Sequence, residues 1–190
     1  MRKSRFTARR IAINAVLIAL YVILGMFLKI PIGNILRLNP ASFAVIVCAV
    51  AFSPIDGLVV GFLGELLCQV LGPYGLTPTT ALWALPEAMR GLLLGLLMLI
   101  FVKKQLTASQ LLHSRSIIWY LLACTVTGVI ASLLNTFALY VDSNMFGYYS
   151  YYMVFGVLLV RLGLAVVTSG LFGYIALHIT AALRKANLIC

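Results

Sequence analysis

The chain has 190 residues, 63% of them hydrophobic and only 9% charged, with a mean hydropathy of +1.10. A water-soluble exterior needs far more charged side chains, so this composition excludes a soluble globular domain and points to an integral membrane protein. The net charge of +10 comes from basic residues set mostly just outside apolar runs, which is an orientation signal rather than nucleic-acid chemistry.

Arg2, Lys3, Arg5, Arg9 and Arg10 precede the first apolar segment, 11–28, which reads as a retained first helix rather than a cleaved leader. On it Ala15 and Ala19 lie four apart, a small-residue face that another helix can approach closely. Packing within the chain and docking to a different subunit both fit that face, and Gly57/Gly61 and Gly91/Gly95 repeat its spacing. Segments 41–52 and 57–71 are short, and Ser53-Pro54-Ile55-Asp56-Gly57 between them predicts a tight turn joining two short or tilted helices. Segments 81–102, 117–141 and 154–183 are each long enough to span a bilayer.

The expected fold is therefore an all-α integral membrane protein, one membrane domain over 1–190, with six transmembrane helices and both termini cytoplasmic. That orientation places ten of the fourteen Lys and Arg inside, including Lys103, Lys104, Arg115, Arg184 and Lys185. Lys29 and Arg37 fall in an external loop, and Arg90 and Arg161 fall within helices. No GxxxxGK[ST] occurs, so any ATP dependence must come from a partner. Cys48, Cys68, Cys124 and Cys190 form no CxxC, and His113 and His178 are isolated. No metal site and no cofactor held by this chain are expected.

The polar chemistry gathers on the external side. The loops 29–40, 72–80 and 140–153 are rich in Gly, Pro, Thr and Tyr; Tyr140, Tyr148, Tyr149, Tyr151 and Tyr152 fit an interfacial belt or the lid of a pocket for a planar ligand. Glu87 and Arg90, three apart on one helix face, either neutralise each other or meet a ligand. Pro86 beside them leaves a backbone carbonyl without its donor. Arg161 has no acidic neighbour in its own segment; pairing with Glu87 and bidentate capture of an anionic ligand are both open. Asn135 and Thr136 suit interhelical hydrogen bonds, and Asn can also read a heterocycle edge.

AVLIA in the first helix, LRLNPASFAVIVCAVAFSPIDGLVVGFLGELL, GPYGLTPTTALWALPEAMRGLLLGLL and SLLNTFALY together resemble the S-components of energy-coupling-factor (ECF) vitamin transporters, most closely the folate family among them. Glu65 stands where that family usually has Asp. The resemblance implies a six-helix binding subunit in the bacterial plasma membrane, not an enzyme. It would capture a B-vitamin, folate first, from outside and deliver it inward with a transmembrane coupling protein and two ATPases that use ATP. Ala15 and Ala19 correspond to the face that docks to the coupling protein. With the residue chemistry above, the expected pocket comprises Arg37, Asn39, Tyr74, Trp83, Glu87, Arg90, Asn135, Tyr148 and Arg161. Trp83 would stack on a pterin-like ring, Glu87 and Asn135 meet its polar edge, and Arg37 or Arg161 hold a carboxylate. The rivals are another small vitamin or precursor such as pantothenate, a ligand-free accessory subunit, and an intramembrane enzyme using Glu87. The last lacks HExxH, GxSxG or paired intramembrane aspartates.

Overall fold

A computed structural model describes residues 8–28, 30–32, 36–73, 75–103 and 116–185. In chain order it holds α1 (Ala8–Phe27), a hairpin of β1 (Ile30–Ile32) and β2 (Leu36–Leu38), α2 (Ser42–Ala51), α3 (Pro54–Leu71), α4 (Thr80–Lys103) and α5 (Ser116–Met145). A π-turn over Tyr152–Gly156 then leads into α6 (Leu158–Lys185). Five of these helical stretches are long and apolar enough to cross a membrane; α2, with ten residues, is not. At 1.5 Å per residue α2 reaches about 15 Å, half a hydrocarbon core. It compensates by burial, since nine of its ten residues are buried among α1, α3, α4 and α6. A helix apolar all round belongs at a bundle centre.

Three expectations are revised. The segment 29–40, read as a loop, contains antiparallel strands with Ile30 opposite Leu38 and Ile32 opposite Leu36. Branched apolar residues alternating with Pro31 and Arg37 favour paired extended backbone over irregular loop. The Ser53–Gly57 turn is shorter than expected, because Ser53 caps α3, Pro54 opens it and Asp56 lies in its first turn. Serine followed by proline is a helix start as well as a turn signal. Finally, α5 continues past Tyr140 to Met145. Ser143 Oγ and Asn144 Nδ2 both donate to the Tyr140 carbonyl, at 3.0 and 2.7 Å.

The large apolar side chains pointing outward, such as Val16, Phe27, Trp119 and Leu159, suit a bundle whose solvent is lipid. Close packing instead falls on small residues. A Cβ on Gly91 would lie 2.1 Å from the Gly57 carbonyl oxygen, and one on Gly61 would lie 2.4 Å from that of Glu87. Gly57 of α3 and Gly91 of α4 thus face each other, and Gly61 and Gly95 each face backbone of the opposite helix, whereas Ala15 and Ala19 on α1 remain exposed. At the end of the bundle opposite the hairpin, Asp56 is fully buried and pins α1. Arg10 Nε (2.8 Å), Asn14 Nδ2 (2.8 Å) and Ser53 Oγ (2.7 Å) all donate to its carboxylate.

Candidate functional site

The polar residues that remain converge on the hairpin half of the bundle. A cavity of about 460 Å³ lies there between the last turns of α3 and α5 and the first turns of α4 and α6. From the expected pocket, Asn39, Trp83, Glu87, Arg90, Asn135 and Arg161 all line it. Five helices contribute, α2 through Ser42 at its first turn and α3 to α6 through polar positions toward the same end of the bundle. Arg37 is in β2, and its side chain, like all of Tyr74, lies outside the described residues. Tyr148 is not in the cavity wall. Its hydroxyl donates to Asp142 in the last turn of α5, which also accepts from Thr79 Oγ1, so the segments before α4 and after α5 are both tied to the end of α5.

Glu87 forms the ion pair expected with Arg90, at 3.3 Å, one turn apart on α4. The same oxygen, Oε1, accepts from Ser42 Oγ at 2.8 Å. That leaves Oε2 buried with no partner among the described residues, together with Arg90 Nε and Arg161 Nη1. Arg161 does not reach Glu87; its Nη2 donates to the Met153 carbonyl at 2.9 Å. Mutual neutralisation therefore accounts for part of the Glu87–Arg90 pair and none of Arg161.

Sequence reasoning missed Ser42, Glu65 and Gln69 as wall residues. Glu65 accepts from the Tyr21 hydroxyl and from Gln69 Nε2, both at 2.7 Å. A carboxylate takes only donors, so this contact turns the Gln69 amide and leaves its carbonyl for the cavity. Asn39 works the other way: its Oδ1 accepts from the Ala41 backbone N–H at 3.1 Å, which frees its NH₂ group. The signal for Glu65 was available, since it is one of only four acidic residues in the chain. Charge scarcity in an apolar sequence marks function.

The cavity thus presents acceptors at Glu87 and Gln69 and donors at Asn39, Arg90 and Arg161, with the Trp83 indole alongside. Buried polar atoms in native folds are almost always paired, so this constellation suits a ligand carrying complementary groups. The volume lies within the range of about 300–1,000 Å³ typical of small-molecule sites.

No curated protein matches the chain by sequence. Among solved structures, the crystal structure of the S-component for biotin from an ECF-type ABC transporter is similar in fold, with a TM-score of 0.60 over 95% of both chains at 18% identity. Residues 5–185 match the model of the family described as ECF-type riboflavin transporter, S component. The chain belongs to this family, and is therefore a substrate-binding subunit of a membrane transporter rather than an enzyme.

Proposed function

We propose that the cavity binds a B-vitamin with a fused heteroaromatic ring and an anionic tail, folate being the best fit. The observation that carries this is the trio of buried atoms without partners among the described residues, one carboxylate oxygen and two guanidinium nitrogens, around a cavity of vitamin size. A pterin edge supplies N–H donors for Glu87, its ring stacks on Trp83, and a glutamyl carboxylate supplies the acceptor that Arg161 lacks. Riboflavin is the second reading, favoured by the family's description. It offers a planar ring and a hydroxylated tail but no carboxylate.

The membrane is the bacterial plasma membrane, crossed with both termini inside, so the cavity opens outward. ATP is consumed by two partner ATPases acting through a coupling protein, which docks on α1. The exposure of Ala15 and Ala19 supports that surface, since the other small-residue seams are occupied by α3 and α4.

Thermal unfolding of the purified subunit with a vitamin panel tests the ligand. A ligand at a hundredfold excess over Kd stabilises by about 2.7 kcal/mol. Folate should raise the melting temperature, and Arg161→Ala should weaken folate far more than riboflavin. No shift with any vitamin would refute a binding role. Cysteine labelling from outside at Leu76, and from inside at Ile55, checks the orientation.

A further inference from the structure

We propose that Arg161, besides meeting the ligand, transmits occupancy of the cavity to the π-turn preceding α6. The inference rests on the vitamin-binding reading and adds to it a mechanical role for one side chain. Arg161 lines the cavity from the first turn of α6, with Nη1 buried and without a partner among the described residues. Its other terminal nitrogen, Nη2, holds the Met153 carbonyl, eight residues back. One rigid planar group therefore touches both the ligand space and the backbone of Tyr152–Gly156. A π-turn leaves its backbone in a geometry that a helix does not sustain unaided, and such turns cluster at functional sites.

That turn is also tied to an aromatic cluster. Tyr151 and Phe155 rings lie 5.5 Å apart, Phe155 and Tyr140 6.2 Å, and Tyr140 and Tyr149 5.7 Å. A Cβ on Gly156 would come within 2.6 Å of the Tyr152 ring, so the turn is tightly folded on itself. A ligand acceptor on Nη1 fixes the guanidinium plane, and the fixed plane holds the Met153 carbonyl. An empty cavity leaves Arg161 anchored on one side only. Lysine cannot replace it, because an ammonium lacks the rigid fork that serves two acceptors in fixed directions.

The test uses the full-length subunit with folate as probe, and riboflavin where folate does not bind. Binding is read from Trp83 fluorescence in a Trp119→Phe background, and the turn from amide hydrogen exchange over 152–157. In the otherwise unaltered protein the vitamin should slow exchange over 152–157. Arg161→Lys should still bind, with dissociation about tenfold faster, yet show no vitamin-dependent slowing there; Arg161→Gln serves as the uncharged companion. Vitamin-dependent slowing that persists in either variant, or is absent from the protein with Arg161 intact although Trp83 reports binding, overturns the inference alone. Loss of all binding in both variants overturns it too, because its two contacts are then not separable. Absence of any Trp83 response to either vitamin in the protein with Arg161 intact sinks the functional reading as well.

Discussion

Gly91→Ala is the substitution whose consequence the geometry fixes best. The added Cβ would stand 2.1 Å from the Gly57 carbonyl oxygen and 2.3 Å from its carbon. Ordinary contact begins at 3.4 Å, so α3 and α4 must part by about 1.3 Å along that line. Both obstacles are backbone, and no rotamer change relieves them. The seam continues in both directions: a Cβ on Gly95 would meet Pro54 Cα at 2.5 Å, and one on Gly61 would meet the Glu87 carbonyl at 2.4 Å. A gap of up to ~1 Å forfeits a quarter to a half of each dispersion contact, and in lipid such contacts, not the hydrophobic effect, hold helices together. We expect a loss of about 2–4 kcal/mol. At roughly 2–4 °C per kcal/mol for a chain of this size, the melting temperature should fall by roughly 5–15 °C. Because α4 also carries Trp83, Glu87 and Arg90, vitamin affinity should fall with it. Thermal unfolding in detergent, paired with ligand titration, reads both effects. Gly163→Ala is the control: nothing lies within 4 Å of the added Cβ, and alanine is favoured by ~1 kcal/mol in a helix. An unchanged melting temperature for Gly91→Ala, or an equal loss for Gly163→Ala, would refute the packing argument.

Glu87→Gln keeps an acceptor for Ser42 but leaves Arg90 without its counter-charge. Vitamin affinity should drop about tenfold to a hundredfold, from loss of a charge-assisted bond of ~1.5–3 kcal/mol, measured by titration. Trp83→Ala removes the stacking surface and should cost about 1–2 kcal/mol of binding beyond any change in melting; calorimetry with folate checks it. Asp56→Ala strands Arg10 and Asn14 at the far end of the bundle and should lower stability by about 3–5 kcal/mol. Vitamin affinity should persist in the folded fraction, because Glu65 stands nine residues, or about 13 Å, further along α3.

Much of this protein was legible in one dimension. The membrane class, the positions of the long helices and the gathering of polar groups at one end follow from composition and hydropathy, since lipid imposes a length and polarity requirement on each segment independently. Glu87, Arg90, Asn135 and Arg161 stood out by the cost of placing polar side chains in apolar segments, Asn39 and Trp83 came from the external-side chemistry and the family resemblance, and all six line one cavity. Helix rotation was not legible. A segment apolar on every face carries no stripe to say which side meets its neighbour, so Gly57/Gly61, Gly91/Gly95 and Ala15/Ala19 looked alike until the backbones of α3 and α4 were seen to interlock and α1 was seen to keep its small residues outward. The same reason hid Glu65 and Gln69 in the cavity wall, and diverted Tyr148 to Asp142. Solvent preference is written residue by residue, but contact depends on the angle at which each rod is turned, and only the packed bundle sets that angle.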